Sequence, residues 1–271
     1  MKSLFILLQR ILPQHLLSRC AGFLAGIRTP WFKNMAIRQF VRIFHVNMSE
    51  AESARAEDYL DFNAFFTRRL KPNARPVSGS ICAPADGVIS ALGSLAGGRL
   101  LQAKGITYSL EKLLAGANAP EFVNGSFLTV YLAPADYHRV HMPISAELMS
   151  CRYVPGKLFS VNETTTTRVT DLFATNERLI CSFQREAGPM IMIMVGAMIV
   201  AGIQPVWREN PWAPRQPNTE EFNPPRPFQQ GEEFARFRMG STVILLFPEN
   251  VDWRPCPKQR IRLGESLVDG T

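Results

Sequence analysis

Three short stretches of the chain carry residue types that together make a nucleophile, a base and a carboxylate. Ser241 follows Gly240 at the start of an apolar run, and Asp86 lies in a Pro-Ala-Asp-Gly turn. His138 and His141 lie in the stretch Asp-Tyr-His-Arg-Val-His-Met-Pro. A serine becomes a strong nucleophile beside a histidine that a carboxylate orients, and such groups assemble from any order along a chain. Each residue alone has an ordinary structural explanation, so the hypothesis rests on their combination.

The four histidines do not form a pattern typical of a metal site. His15 and His45 lie in a basic N-terminal segment, where surface positions are more common than catalytic ones. His138 and His141 would share one face of a helix, but a strand with this spacing would place them on opposite faces. We therefore predict no bound metal. A base in a strand-end loop fits better, because imidazole titrates near neutral pH.

The net charge of +7 belongs to the N-terminal segment. Residues 1–49 contain seven lysines and arginines and no acidic residue, whereas the rest of the chain has 23 residues of each sign. The same segment is rich in large apolar residues, but no uncharged run reaches the roughly 18 to 20 residues of a membrane span. This predicts helices that lie on an anionic membrane surface, and no nucleic-acid partner. The alternative is a basic amphipathic layer packed on the protein's own core.

The coarse organisation predicts a helical part followed by a β-rich part. Apolar spacing indicates helices up to about residue 70, with a cap at residues 47–50 and a short helix from Asp61. From about residue 76, strand-like runs alternate with turn signals, and one helix is expected at residues 109–115. The uncharged run 187–207 is interrupted by glycine and proline, which favours two buried strands over a membrane span.

These patterns predict an α+β fold with two regions. A helical, basic, membrane-facing region spans residues 1–70, and a β-rich catalytic domain spans residues 71–271. The proline-rich residues 208–230 are expected to form a loop. Five cysteines, without a Cys-x-x-Cys pair, argue against a disulfide framework and favour a reducing compartment.

Eight motifs, in order along nearly the whole chain, resemble those of the bacterial phosphatidylserine decarboxylase proenzymes, a family of pyruvoyl-dependent membrane enzymes. The family's usual Leu-Gly-Ser-Thr reads Met239-Gly240-Ser241-Thr242 here, a volume-conserving change that leaves the reacting atoms alone. The proline-rich stretch has no clear match. The motifs are FNAFFTRRL (62–70), APADGVIS (83–90), LQAKGITYSLEKLLAG (101–116), DYHRVHMP (136–143), YVPGKLFSVN (153–162), NERLICSF (176–183), VGAMIVAG (195–202) and MGSTVILLF (239–247).

The resemblance implies a proenzyme that cuts itself. Ser241 would attack the carbonyl of Gly240, with His141 as the base and Asp86 orienting the imidazole. The amide becomes an ester, and β-elimination releases residues 1–240 as a large chain. The dehydroalanine left at position 241 tautomerises and hydrolyses, with loss of ammonia, to a covalent pyruvoyl group. That group heads a small chain, residues 241–271.

The resemblance also implies the reaction and its setting. Phosphatidylserine would be decarboxylated to phosphatidylethanolamine through a Schiff base between its amine and the pyruvoyl group, which supplies an electrophile that side chains lack. His138 is the candidate proton donor, and Tyr137 is a weaker one. The family further suggests a homodimer and a peripheral location on the cytoplasmic face of the bacterial inner membrane.

Two other functions fit part of the pattern. A lipid-directed serine hydrolase would use the same Ser241, His141 and Asp86 and would stay one intact chain. The sequence, however, lacks the Gly-x-Ser-x-Gly elbow typical of such hydrolases. A non-catalytic membrane-binding module would show neither cleavage nor activity, and it would not need all three patches.

Overall fold

The structure is a computed structural model that describes residues 2–103, 105–198, 202–212, 216–238 and 241–269. The helices are α1 (Lys2–Ile11), α2 (Gln14–Ala25), α3 (Pro30–Phe44), α4 (Phe62–Phe66), α5 (Leu110–Leu113), α6 (Glu163–Thr166) and α7 (Leu172–Thr175), with 3₁₀ turns at Ala56–Asp58 and Pro120–Phe122. The strands are β1 (Gly87–Ser94), β2 (Arg99–Ala103), β3 (Ile106–Ser109), β4 (Ser126–Leu132), β5 (Arg139–His141), β6 (Ala146–Val154), β7 (Arg178–Arg185), β8 (Gly188–Gly196), β9 (Ile203–Pro205), β10 (Asn218–Phe228), β11 (Glu233–Phe237), β12 (Ser241–Phe247) and β13 (Arg260–Ile261).

The N-terminal region is helical, as the spacing of its apolar residues predicts. Prolines separate the helices: Pro13 lies between α1 and α2, and Pro30 is the first residue of α3. Asp61 caps α4, because its carboxylate accepts a hydrogen bond from the Ala64 amide at 2.8 Å. Among the described residues, no helix combines the length and the apolar character that crossing a bilayer requires.

The expected helix cap at residues 47–50 is wrong. Asn47 closes a local turn instead, since its side-chain oxygen accepts hydrogen bonds from the amide and the hydroxyl of Ser49 at 3.0 and 2.7 Å. Such local bonding competes with helix formation. The chain then continues into an isolated bridge between Ala51 and Leu70.

An antiparallel sheet of eight strands, in the order β10-β6-β7-β8-β12-β4-β1-β13, forms the centre of the fold. Both faces of this sheet are covered. On β12, Val243 and Leu245 pack into a first core, whereas Ile244 and Leu246 pack into a second. This burial explains why β12 reads as a continuous apolar run without alternation. Helices and a large sheet together confirm the predicted α+β class.

Two further predicted elements are confirmed where the structure describes them. The run 187–207 contains the buried strands β8 and β9, and residues 199–201 between them lie outside the described residues. The helix expected at residues 109–115 is α5, which Ser109 caps by accepting a hydrogen bond from the Lys112 amide at 3.1 Å.

The expectation of a loop throughout residues 208–230 is wrong. Most of its second half forms β10, an edge strand that pairs with β6 and shifts register between Glu221 and Arg226. Prolines remove backbone donors, and an edge strand tolerates them because one side of it needs no ladder bonds. Residues 213–215 lie outside the described residues.

A small sheet of β5, β11 and β9 covers the first core. Its order brings the histidine-bearing strand β5 next to β11, the strand that leads into Ser241. The large sheet places Gly87, Leu132, Arg178, Gly196 and Ser241 at one end, because each antiparallel neighbour begins where the other finishes. We call this the Ser241 end of the sheet, and the loops that carry the polar motifs gather there.

Candidate active site

Ser241 begins the central strand β12, and its backbone is held from both sides. Its partners in the ladders are Leu132 on β4 and Gly196 on β8. Gly240, the expected cleavage position, lies outside the described residues. The two neighbouring strands therefore fix the position of the Ser241 backbone at the end of the sheet.

Asp86 is buried immediately before β1, two strands away from Ser241. Its carboxylate oxygens accept hydrogen bonds from Nε and Nη2 of Arg75 at 2.9 and 2.6 Å, and one oxygen also accepts from the Leu263 amide at 2.8 Å. Such a bidentate pair fixes the orientation of the carboxylate. Gly87 must follow, because a Cβ there would come within 2.4 Å of the Tyr131 carbonyl oxygen.

His141 ends β5 with its imidazole held at both nitrogens. Nδ1–H donates to the Gly231 carbonyl at 2.8 Å, which leaves Nε2 as the acceptor for the Tyr137 hydroxyl at 3.1 Å. Burial lowers the pKa of His141, although the neighbouring Glu233 and the Gly231 carbonyl act in the opposite sense. The ring is therefore a neutral imidazole with its basic nitrogen at Nε2.

His138 lies fully buried just before β5 and packs against Phe66, with the ring centroids 4.0 Å apart and the ring planes tilted by 42°. Its Nδ1–H donates to the Asp136 carbonyl at 2.8 Å, and Nε2 has no hydrogen-bond partner among the described residues. Burial lowers the pKa of His138 to about 3, and the charge of Arg68 adds to this effect. In this state His138 can accept a proton, and it can donate one from Nε2 only after taking it up.

The structure brings Asp86 and His141 close through the backbone without joining their side chains. The His141 amide donates to the Pro84 carbonyl at 2.8 Å, two residues before Asp86. The Gly231 carbonyl holds Nδ1, the position at which a triad would place its carboxylate. The triad of Asp86, His141 and Ser241 accordingly stays a prediction.

His138 is tied more directly to the strand that leads into Ser241. The Phe237 amide donates to the His138 carbonyl at 2.9 Å, and Ser241 follows four residues later. His141 pairs with Glu233 at the other end of β11. Along this pair of strands, His138 therefore lies at the end that leads into Ser241.

Sequence reasoning missed several residues of this site, among them Arg75 and Gly231. It also missed Glu177, a buried carboxyl whose pKa is raised by burial. The Glu177 carbonyl accepts a hydrogen bond at 2.8 Å from the amide of Gly196, which is the ladder partner of Ser241. The motif Asn-Glu-Arg-Leu could have indicated Glu177, since a charged residue at the start of an apolar strand is unusual.

In the described part of the chain, no three His, Cys, Asp or Glu side chains cluster closely enough to hold an ion. The described part also has no disulfide: its five cysteines are all free, and three of them are buried.

Comparison with known proteins identifies the class. The family model described as phosphatidylserine decarboxylase matches residues 62–269, and a second model, described as PSD, matches residues 4–45. The chain therefore belongs to the phosphatidylserine decarboxylase family, as its motifs predicted.

Particular relatives match over almost their full length. A phosphatidylserine decarboxylase proenzyme of Azotobacter vinelandii is 49% identical, with 97% of each chain covered. The proenzyme of Alcanivorax borkumensis is 51% identical over 91% of this chain and 88% of its own. The proenzyme of Pseudomonas putida is 48% identical over 99% of this chain and 98% of its own.

Proposed function

We propose that this chain is a proenzyme that cuts itself between positions 240 and 241 and then decarboxylates phosphatidylserine to phosphatidylethanolamine. The observation that carries this proposal is the full-length match to decarboxylase proenzymes in a chain whose Ser241 lies at the sheet end where the polar motifs meet. The two expected products of the cut are a large chain, residues 1–240, and a small chain, residues 241–271.

In the cut, His141 is the proposed base and Asp86 the nearby negative charge. Nδ1–H of His141 is oriented by the Gly231 carbonyl, so that Nε2 is the free basic position once the Tyr137 hydroxyl moves away. Asp86, fixed by Arg75, favours the protonated imidazole electrostatically, since a negative charge raises the pKa of a neighbouring histidine. A positioned base is worth roughly 10² to 10⁴ in rate.

The residues present fit a covalent pyruvoyl group derived from Ser241. Nε2 of His138 is a buried acceptor without a described partner, and Glu177 is a buried carboxyl beside Gly196. When formed, the group supplies a carbonyl that withdraws electrons from the substrate as carbon dioxide leaves. Nε2 of His138 is the proposed donor of the proton that replaces carbon dioxide on the product, while Phe66 packs against the ring. Burial keeps the resting ring neutral, so His138 takes that proton from solvent before each donation.

The test of this function is the intact mass of the purified protein. We expect a fragment of 31 residues, positions 241–271, lighter than its plain sequence by the mass of ammonia, together with a 240-residue partner. An unbroken chain of 271 residues that still decarboxylates the lipid would contradict self-cleavage. A cut chain with an ordinary amine at position 241 would contradict the pyruvoyl group.

We further propose that α1, α2 and α3 lie on an anionic membrane. Of the 16 large apolar residues that are exposed in the described part of the chain, 12 lie between positions 7 and 44, and Phe23 and Trp31 are 76% and 70% exposed. Exposed large apolar side chains concentrated on one segment mark an interaction site. The same segment carries all of the excess positive charge, and each Lys or Arg near an anionic leaflet adds about 1 kcal/mol. A peripheral place at the cytoplasmic face of the inner membrane follows from this proposal, and the homodimer rests on the family resemblance.

Replacing Phe23 and Trp31 with serine together should reduce binding to anionic vesicles by tenfold or more, because each large side chain contributes about 1.5 to 3 kcal/mol on burial. Co-sedimentation with phosphatidylglycerol vesicles measures this. The control replaces Leu101 and Met149 with serine. Both are exposed but lie outside the N-terminal helices, so this variant should bind like the parent protein. Deletion of residues 1–30 should weaken binding further. Unchanged binding in both cases would place the membrane contact on the catalytic domain.

A further inference from the structure

Two glutamines of the N-terminal helices are buried against the catalytic domain. Gln9 on α1 is 1% exposed, and Gln14 at the start of α2 is 8% exposed. Oε1 of Gln9 accepts a hydrogen bond from the Ser160 amide at 2.8 Å, and Oε1 of Gln14 accepts one from the Leu158 amide at 2.7 Å. Nε2 of Gln14 donates to the Gln9 carbonyl at 2.6 Å, which links the two residues. We call them the glutamine pair.

The segment that the glutamine pair holds leads directly to the Ser241 end of the sheet. Between the two bonded amides lies Phe159, whose amide donates to Oδ1 of Asn176 at 3.1 Å. Nδ2 of Asn176 donates to the Phe159 carbonyl at 2.8 Å and to the Gly196 carbonyl at 2.9 Å. Gly196 is the ladder partner of Ser241. An unbroken chain of hydrogen bonds and backbone therefore runs from α1 and α2 to the backbone of Ser241.

The segment 156–160 also packs against the start of β7 with almost no free space. A Cβ on Gly156 would come within 2.5 Å of the Thr175 carbonyl oxygen and 2.6 Å of the Glu177 amide nitrogen. The Lys157 amide donates to the Thr175 carbonyl at 2.9 Å, and the Glu177 amide donates to the Lys157 carbonyl at 2.8 Å. A displacement of this segment would therefore be passed on to Glu177 and to Gly196.

A glutamine is an unfavourable choice if these helices only anchor the chain. Burying a polar side chain is costly unless its hydrogen bonds are made, and an apolar residue such as the buried Ile6 on α1 would hold the helix equally well. The amides of Leu158 and Ser160 lie outside any strand and need acceptors. The glutamine pair meets that need, so its bonds order the segment itself.

We infer that Gln9 and Gln14 are positioning residues for the reaction at Ser241, because they fix the segment 157–160 against Asn176 and Gly196. The N-terminal helices thereby become part of the site's framework as well as its membrane contact. This inference rests on the proposed function.

The experiment compares the full-length chain with its Gln9→Met and Gln14→Met variants, which keep the side-chain length and lose the acceptor oxygen. The rate of self-cleavage is measured by intact mass in the presence of anionic vesicles. We expect this rate to fall about fivefold for each single variant and about 30-fold for the double variant. Decarboxylation by the cut protein should lose kcat with little change in KM. Hydrogen exchange at Leu158 and Ser160 should accelerate, and vesicle co-sedimentation should stay unchanged.

The matched control is Gln102→Met. Gln102 is also 1% exposed, and its side chain bonds the Thr166 and Val169 carbonyls and the Leu172 amide. It has no described hydrogen bond to residues 157–160 or to the Asn176 side chain, and it reaches Asn176 only indirectly, through the bond from the Asn176 amide to the Leu172 carbonyl. It should lower the melting temperature yet cut at the parent rate. If the Gln9→Met variant does not fold, Gln9→Glu keeps an acceptor oxygen and exchanges Nε2, which has no described partner, for a second carboxyl oxygen that burial keeps protonated. We expect it to recover most of the rate.

The outcomes separate this inference from the proposed function. If the parent chain is never cut, the proposed function fails. If the parent chain is cut and the double variant is cut equally fast while hydrogen exchange at Leu158 and Ser160 accelerates, the positioning role of the glutamine pair is wrong. The same conclusion follows if Gln102→Met slows the cut as much as the double variant does, or if Gln9→Glu folds and is as slow as Gln9→Met.

Discussion

Replacing Ser241 with alanine is expected to leave a folded, uncut and inactive chain of 271 residues. The substitution removes the hydroxyl oxygen that the proposed cut requires. The strand keeps its ladders to β4 and β8, because backbone groups alone form them. We therefore expect complete loss of cleavage and of lipid decarboxylation, with a melting temperature within a few degrees of the parent protein. Intact mass, a lipid assay and thermal unfolding measure the three quantities.

Two further variants show whether the effect belongs to the nucleophile. Ser182→Ala changes a half-buried serine of β7 and should mature normally. Ser241→Cys should still cut at the same bond, although more slowly, because a thiol is also a nucleophile. Decarboxylation that survives in the Ser241→Ala variant would remove this residue as the origin of the catalytic group.

Replacing His141 with alanine should slow self-cleavage by roughly 10² to 10⁴, the usual contribution of a positioned base. Time courses of intact mass measure the rate. His45→Asn is a suitable control, because His45 has a φ of 54° and asparagine tolerates that left-handed conformation. Maturation at the parent rate in the His141→Ala variant would move the base to another residue, and His138 would be the next to test.

The pH dependence of the cut follows from the same histidine. A general base must be neutral, and burial lowers the pKa of His141 below its ordinary value of 6.5. The rate should therefore begin to decline at a lower pH than it would with an ordinary histidine as the base, and a pH series of the cleavage rate measures this. Asp86→Asn separates two geometries for the orientation of the ring. A triad predicts a loss as large as that of His141→Ala, whereas the bond from Nδ1 to the Gly231 carbonyl predicts a smaller one.

Local patterns in the sequence were sufficient for most elements of the fold. The apolar run after Ser241 predicts a buried strand, and β12 has both faces covered. Asp61 predicts a helix start, and it caps α4. The prediction of a loop for the proline-rich stretch was wrong because proline argues against a strand in general, whereas an edge strand such as β10 tolerates proline. That β10 lies at the edge is known only from the order of strands in the sheet.

The contacts of the candidate site could not be read from the sequence in the same way. Asp86, His141 and Ser241 could be chosen as candidates from their residue types. The partner of Asp86 is Arg75, however, and nothing in the local sequence distinguishes Arg75 from other arginines. Gly231 acts through its carbonyl, a group that every residue possesses. The glutamine pair bonds residues 144 and 151 positions away along the chain. Such bonds leave no local periodicity, so only the folded structure reveals them.

The central place of β12 determines what kind of molecule maturation would produce. After a cut before Ser241, this strand would belong to the small chain while still lying between β4 and β8 of the large chain. It pairs with the first from Leu132 to Ser126 and with the second from Gly196 to Ile191. The mature protein would thus be an interlocked heterodimer in which the small chain contributes to both hydrophobic cores of the large one. The two subunits could not separate without breaking both ladders of β12 and unfolding the centre of the sheet.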